Sequence, residues 1–328
     1  MDSMLKPFLP NIQKELSVSH ILSIAKMQSL WSDYGGIFRL NLKGAKVPSV
    51  VVKCILLEEK DKHPRGWVSN LSHERKVKSY QVENHWYEMY AASLPTTVKV
   101  PQLLYREKQT SVQILVLEDL SHSYPNLKQS CTYKEAKTVI RWLAQFHAHF
   151  INSPTDGLWP IGSYWHLNTR PDEWKAMEDS PLKEKAQALD FVLNEAKFQT
   201  IIHGDAKVAN FCFSNNEEVA AVDFQYVGKG VGVKDFAYFL GSCFSDEESQ
   251  LYEGSLLEYY FETLKLSAKD LNEAEKAALE KEWRELYPIA WADFNRFLLG
   301  WLPNHQKLHN HALSKNGEAF QFLERQNL

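Results

Sequence analysis

Apolar and polar positions along the chain predict strands and one helix in the first third, followed by a mostly helical remainder. Residues 48–57 and 112–117 are short apolar runs of the kind that form buried strands. Residues 73–92 contain neither Gly nor Pro and carry apolar side chains at helical spacing, as do residues 133–151. We therefore expect a sheet accompanied by one helix, and further helices after it.

A single charge, Lys53, interrupts the first apolar strand. A lysine is costly to bury without a partner, unless it points to water from an edge strand. Glu83 lies three residues after Tyr80 and four before Tyr87, and so on the apolar face of the predicted helix. Glu88 falls on the polar face instead, so Glu83 is the expected partner of Lys53.

The most informative segment spans residues 201–225. It reads IIHGDAKVANFCFSNNEEVAAVDFQ, with two short apolar runs around an Asn-Asn turn. A hairpin of this kind would bring Asn210 and Asp223 together, with Asp205 just before it and within reach. Two carboxylates and an amide so arranged suit phosphoryl transfer, since one can serve an acceptor hydroxyl and two can hold magnesium. The alternative is an ordinary hairpin with polar ends.

Composition is compatible with a globular enzyme. The chain has 328 residues, 44% of them hydrophobic and 24% charged, with a net charge of −4. We expect neither nucleic-acid nor membrane binding, because there is no basic excess and no apolar run of about 18 residues. The start lacks a secretory segment, and the four scattered cysteines favour reduced thiols, so we expect a cytoplasmic protein.

The segment His203-Gly204-Asp205, followed by Asn210, resembles the H-G-D-x-x-x-x-N loop of the aminoglycoside phosphotransferase and choline kinase superfamily. It is most similar to the ecdysteroid kinase-like branch. The resemblance covers roughly residues 33 to 240. It implies a protein kinase-like, two-lobed α+β fold. An N-terminal antiparallel sheet with one helix would precede a larger, mostly helical C-terminal lobe.

The same resemblance implies functional roles, with ATP and magnesium as cofactors. Asp205 would be the catalytic base, Asn210 and Asp223 the metal ligands, and His203 a support for the loop. Lys207 stands where a cation could neutralise charge on the transferred phosphoryl group, or it is a solvated loop lysine. Many antibiotic kinases lack a lysine at this place.

The first third would be the nucleotide-binding lobe. Lys53 resembles the third-strand lysine that holds nucleotide phosphates in kinases. Gly35 and Gly36 would let the backbone approach phosphates, although a double glycine before a strand is also common turn chemistry. Main-chain groups around Glu118 and Leu120 would contact adenine. The lobes would comprise residues 1–120 and 121–328.

Several other polar residues have a structural interpretation. His147 lies on the apolar face of its predicted helix and is expected to be a satisfied core residue. Asp235 resembles a structural aspartate that opens the next helix. Residues 228–235 are rich in glycine but do not form a Walker loop, and residues 152–181 could cover the mouth of the active site.

The acceptor site is the least defined. A predicted helix over residues 288–301 carries Trp291 and Asp293, which could bind a cationic amine by cation–π attraction or a flat apolar alcohol. A core helix with a solvated Asp293 is the alternative. His305, His309 and His311 suggest a polar tail segment more than a metal site.

We therefore expect magnesium-dependent transfer of the ATP γ-phosphoryl group to a hydroxyl of a small molecule. Choline-like amines, sterols, sugars and aminoglycosides all remain possible acceptors. A catalytically silent nucleotide-binding regulator on the same fold is the rival hypothesis. A protein kinase is less consistent with the sequence, because D-F-Q replaces D-F-G and no A-P-E follows. A purely structural module would leave the polar residues unexplained. The oligomeric state is not readable from the sequence.

Overall fold

A computed structural model describes residues 4–30, 34–57 and 70–328, without the side chain of Asn70. The described chain forms two compact units. The first contains the residues up to Ser93 together with Val100–Pro125, and the second contains Leu94–Lys99 and Asn126–Leu328. Ser32 and Asp33, part of the turn predicted before Gly35, lie outside the described residues.

In the described part of the first unit, five antiparallel strands pair in the order β1-β2-β3-β5-β4. The short helix α1 (Leu9–Glu15), which the sequence did not predict, precedes them. The strands are β1 (His20–Ser29), β2 (Gly35–Lys43), β3 (Ser49–Leu56), β4 (Leu103–Lys108) and β5 (Val112–Glu118). β3 lies in the middle and is almost entirely buried, which explains its continuous apolar sequence.

Helix α2 (Asn70–Met89) is the helix expected from residues 73–92. Its Tyr80 packs in a buried cluster with Leu30, Tyr34 and Ile55. This packing holds the helix against the sheet and fixes which of its residues face β3.

The second unit is mostly helical, with a few short strands. The helices are α3 (Tyr133–His149), α4 (Pro171–Ala176), α5 (Pro181–Glu184), α6 (Ala186–Asn194), α7 (Val233–Cys243), α8 (Asp246–Ser267), α9 (Glu273–Trp301) and α10 (Asn310–Arg325). The strands are β6 (Asn126–Leu127), β7 (Thr200–Ile202), β8 (Phe211–Phe213), β9 (Val219–Ala221) and β10 (Gly228–Gly230). β6, β8 and β9 form one small sheet, and β7 pairs with β10.

Helix α9 is longer than the sequence predicted. It begins at Glu273, where Asn272 forms a capping box with Glu275, and not at Pro288, which lies inside the helix. The proline suggested a helix start because it fits the first turn best. Pro288 and the residues after it are buried. This packing stabilises the helix although the proline lacks a backbone N–H to donate.

The predicted α+β fold class is confirmed, with an antiparallel N-terminal sheet and a helical C-terminal part. No helix in residues 4–30, 34–57 or 70–328 is long and apolar enough to cross a membrane.

Candidate active site

Lys53 and Glu83 form a buried ion pair within the first unit. Lys53 Nζ lies 2.6 Å from Glu83 Oε2, and the two residues are only 5% and 2% exposed. Lys53 is on the central strand β3, so the predicted alternative of an edge-strand lysine is wrong. Glu83, the carboxylate predicted from helical spacing, is the partner of Lys53 in the structure, and the pairing offsets the cost of burying the amine.

Gly35 and Gly36 lie beside Lys53 in the register of the sheet, paired with Ile55 and Cys54. Gly35 has a φ of +127°, and a Cβ there would lie 2.0 Å from the carbonyl oxygen of Cys54. Close contact between β2 and β3 therefore requires glycine at position 35, whatever the loop before it binds.

Glu118 ends β5, and both its backbone and its side chain are hydrogen-bonded to Gln102. Its backbone N–H donates to Gln102 O at 2.9 Å, and its carboxylate accepts the backbone N–H of Gln102 at 3.1 Å. Leu120 begins the short 3₁₀ turn Leu120–His122, which Asp119 caps through the N–H of Ser121. Adenine contacts at Glu118 and Leu120 stay a prediction.

In the second unit, the loop after β7 makes a sharp turn at Gly204. Its φ is +76°, and a Cβ there would lie 2.1 Å from Tyr226 O and 2.8 Å from Ser163 N. Asp235 anchors this turn from helix α7. Its carboxylate accepts the backbone N–H of His203 at 2.6 Å and that of Gly204 at 2.9 Å.

Asp235 thus anchors backbone donors, as predicted, but those of His203 and Gly204 in the loop after β7 and not those of its own helix. It is fully buried and also contacts His147 Nε2 at 3.1 Å. His147 Nδ1 in turn meets the hydroxyl of Tyr260 at 2.8 Å. The interpretation of His147 as a buried, satisfied histidine agrees with these contacts.

His203 is buried and bonded to backbone on both sides of its ring. Nδ1 accepts the N–H of Asp205 at 3.3 Å, and Nε2 lies 3.0 Å from the carbonyl oxygen of Val222. With Nδ1 accepting, Nε2 is the ring nitrogen placed to donate to the carbonyl of Val222. His203 therefore ties the loop to the residue after β9, and within the described part of the chain its ring nitrogens bond to backbone groups only.

The carboxylate of Asp205 is held by one oxygen and left open at the other. Lys207 Nζ donates to Oδ2 at 3.0 Å, and Asn210 Nδ2 donates to the same oxygen at 3.1 Å. Oδ1 is buried and meets no donor of hydrogen-bond geometry among the described residues, although the hydroxyl of Tyr238 also interacts with this carboxylate. A buried acceptor without a well-placed donor is costly, so Oδ1 can accept a further hydrogen bond.

The β8–β9 hairpin brings Asn210 and Asp223 together, as predicted. Phe211 pairs with Ala221, and the N–H of Val222 donates to Asn210 O at 2.9 Å. Asp223 follows with a φ of +69°, a conformation that Asp and Asn tolerate better than most residues. Its Oδ1 accepts Gln225 Nε2 at 2.6 Å.

These residues fit a magnesium ion. Asn210 uses its amide nitrogen on Asp205, which leaves its oxygen as the atom for a cation, and Asp223 supplies a carboxylate across the hairpin. Oxygen ligands of this kind are those that magnesium prefers. Within the described ranges, no group of three or more His, Cys, Asp or Glu side chains is arranged to hold a metal.

The charge of the Lys207 amine is maintained by two nearby carboxylates. Burial alone would lower the pKa of its amine, but the carboxylates of Asp205 and Asp223 raise that pKa above its ordinary value. Lys207 therefore stays cationic beside the carboxylate of Asp205. The side chain of Lys207 is partly exposed, but its ion pair with Asp205 favours a lysine fixed at this carboxylate over a solvated loop lysine.

Sequence reasoning missed the aromatic side chains next to Asp205. The backbone N–H of Tyr164 donates to Gly204 O at 3.2 Å, and the hydroxyl of Tyr238 faces Asp205. Burial first, then Tyr164 and the charge of Asp205, raise the pKa of Tyr238 well above its ordinary value. Tyr164 lies in the segment 152–181 that was expected near the active-site mouth, but no motif marked either tyrosine.

Trp291 and Asp293 are buried in the core of the second unit. Trp291 is fully buried, and Asp293 forms an ion pair with Arg296 at 2.7 Å and accepts Trp165 Nε1 at 2.9 Å. Asp293 is thus not solvated, as the alternative had assumed. An acceptor-binding role for these two residues stays a prediction, and the contacts favour a core helix.

The three C-terminal histidines do not converge on one point. His309 contacts Asp246, whereas His311 contacts Glu253 at 2.9 Å. His305 Nδ1 accepts the backbone N–H of Lys307 at 3.1 Å. Each ring is used by local structure, in agreement with the non-metal interpretation.

Residues 165–273 match the sequence model of the ecdysteroid kinase-like family. The match covers about a third of the chain and includes the whole segment from His203 to Gln225. A search of curated proteins finds no significant match. The resemblance indicated by the H-G-D segment is thus confirmed for the part of the chain that carries it.

Solved structures show the same fold. Amicoumacin kinase hAmiN, in complex with AMP-PNP and Ca²⁺, aligns with a TM-score of 0.52 at 10% identity, over 99% of this chain and 96% of its own. The aminoglycoside phosphotransferase APH(3'')-Id from Streptomyces rimosus gives 0.52 at 12%, over 86% and 98%. Choline kinase LicA from Streptococcus pneumoniae gives 0.51 at 11%, over 97% and 99%. The fold is that of the kinase-like phosphotransferases.

Proposed function

We propose that the protein transfers the γ-phosphoryl group of ATP to a hydroxyl of a small molecule, with magnesium. The observation that supports this most is the carboxylate of Asp205. One oxygen is fixed by Lys207 and Asn210, while the other is buried and meets no donor of hydrogen-bond geometry among the described residues. A hydroxyl donating to that open oxygen is oriented for attack and can lose its proton there.

Asn210 and Asp223 are the proposed magnesium ligands, through the amide oxygen and the carboxylate. When bound, magnesium would neutralise negative charge on the phosphates. Lys207 is proposed to stabilise the transferred group by the positive charge that its neighbours maintain. Phosphoryl transfer depends mainly on positioning and electrostatics, and this loop supplies both.

In the first unit, Lys53 is the proposed contact to the nucleotide phosphates, oriented by Glu83. The backbone at Gly35 and Gly36 is proposed to approach the phosphates, and main-chain groups near Glu118 and Leu120 to contact adenine. Residues 1–120 would then be the nucleotide-binding part and residues 121–328 the catalytic part.

The test is ADP release from Mg-ATP in the presence of pooled amino alcohols, sterols, sugars or aminoglycosides. We expect release with one pool, and Asp205→Ala should lower the rate by about 10²- to 10⁴-fold, the scale of general-base catalysis. Asp179→Ala is the matched control, because Asp179 is an aspartate with a 98% exposed side chain.

ATP binding to both proteins is measured in parallel. Wild-type turnover by Asp205→Ala would contradict the proposal. Bound ATP with no ADP release in any pool would favour the silent regulator. A protein that binds no ATP would contradict both hypotheses.

A further inference from the structure

An aromatic cluster lies beside Asp205 in the second unit. Tyr164 is its centre, with its ring 5.6 Å from Tyr238 and 5.3 Å from Phe297. Phe297 stacks on Trp301 at 5.6 Å. The hydroxyl of Tyr238 faces Asp205, so this largely buried cluster borders the carboxylate. In an active site, such faces would attract a cationic amine if they were open.

The faces are already used by cations of the protein itself. Lys307 Nζ lies 4.2 Å from the ring centroid of Tyr238 and 5.7 Å from that of Phe294. Arg170 lies over Phe297 at 5.4 Å and over Tyr164 at 5.9 Å. A second cation brought to the same rings would meet like charge and not an open π face.

Arg170 and Lys307 differ in whether a carboxylate neutralises their charge. Arg170 is paired with Glu173 at 3.0 Å and also donates to Tyr164 O at 2.7 Å. Lys307 is partly exposed, and among the described residues its amine has neither an ion-pair partner nor a hydrogen-bond acceptor. Burial lowers the pKa of Lys307 to about 8, partly opposed by Asp205 and reinforced by Lys207. A partly exposed amine in this position can donate to an oxygen of a ligand.

We propose that Lys307 is an acceptor-binding residue that donates to an oxygen of the acceptor and selects uncharged or anionic alcohols over cationic amines. This inference rests on the proposed function, whose acceptor site it defines. Amino alcohols and aminoglycosides are then disfavoured, because their positive charge would lie against Lys307 and Arg170. The preference for an uncharged over a cationic acceptor should be about tenfold or more, because a cationic acceptor beside Lys307 would be repelled in a partly desolvated site.

The experiment uses the full chain and two alcohols of the same shape. Choline is cationic, and 3,3-dimethylbutan-1-ol is its uncharged counterpart. ADP release is measured with both and with the four pools. Lys307 is also labelled in trace amounts with an acylating reagent, and its labelling relative to the exposed Lys14 reports whether each alcohol occupies the site, independently of catalysis.

We expect the uncharged alcohols to support ADP release and to protect Lys307 from labelling, and choline to do neither. Lys307→Glu should reverse the preference between choline and 3,3-dimethylbutan-1-ol, and Lys307→Met should remove it. Far-UV circular dichroism checks that both variants fold.

Release confined to cationic acceptors, or labelling of Lys307 that no alcohol changes, would overturn the inference. If ADP release occurs with no alcohol, the proposed function fails, and the labelling of Lys307 alone tests its role in acceptor binding. Protection by uncharged alcohols then still supports the role of Lys307, whereas protection by choline contradicts it.

Discussion

Asp235 accepts the backbone N–H of His203 at 2.6 Å, although the two residues are on different elements. The same carboxylate accepts the N–H of Gly204, so one buried side chain satisfies two donors of the turn after β7. The shape of the turn therefore depends on helix α7.

Asp235→Ala should destabilise the protein by roughly 2–5 kcal/mol, because it leaves two buried backbone donors without an acceptor. Asp235→Asn keeps one acceptor oxygen and should cost less. Urea unfolding measures both variants. If Asp235→Ala matched the wild type in stability, the anchoring role would be wrong.

Removing one partner of the buried pair Lys53–Glu83 should destabilise the first unit by about 3–5 kcal/mol, since the remaining charge stays buried without its ion pair. The double variant Lys53→Met with Glu83→Leu should recover most of that stability. ATP binding should stay weak in all three variants, because the proposed phosphate contact is gone. Urea unfolding and ATP titration separate these effects.

Recovery of ATP affinity by the double variant would show that the pair acts only through stability. Loss of affinity in the stable double variant would support Lys53 as a phosphate contact.

Asp223→Asn should raise the magnesium concentration needed for half-maximal ADP release by about tenfold or more, because a charged ligand is lost. Asn tolerates the φ of +69° at this position, so its backbone should stay in place. Asp223→Ala adds backbone strain of about 1–2 kcal/mol to the loss of the ligand. Magnesium titration together with thermal unfolding distinguishes charge from strain, and an unchanged titration in both variants would contradict the ligand assignment.

Stability should fall in acid through Glu253. Burial would raise the pKa of this carboxyl, but hydrogen bonds from His311, Lys315 and Tyr287 lower it to about 2. A lowered folded-state pKa means stability that is fully present above about pH 4.5 and lost as pH falls towards 2. Glu253→Gln should remove this part of the pH dependence.

The measurement is urea unfolding of wild type and Glu253→Gln between pH 2 and 6. The difference between the two proteins should shrink as pH falls. A constant difference would indicate that Glu253 is not the titrating group.

Much of the candidate site was predictable because its members are local or periodic in sequence. The hairpin joining Asn210 to Asp223 follows from turn chemistry, and helical spacing on α2 selected Glu83 for Lys53. Such relations depend on backbone geometry over a few residues, which the sequence encodes directly.

The rest depends on packing between distant segments. Tyr164, Tyr238 and Lys307 meet beside Asp205 from three separate parts of the second unit, and no local pattern marks them. For the same reason the aromatic residues of α9 could not be divided into core and surface. Trp291 is buried because α9 is covered on several sides, a property of the whole unit and not of the helix.

The amide of Asn210 has a consequence for the chemistry of position 210. Its nitrogen donates to the carboxylate and to the backbone carbonyl of Asp205, which turns its oxygen the opposite way. An aspartate here would be nearly the same size but could not donate, and its charge would repel Asp205. Only a group that is a donor at one end and an acceptor at the other can hold the carboxylate of Asp205 and also present an oxygen to the proposed cation, so the two ends of this side chain are already oriented in the folded protein.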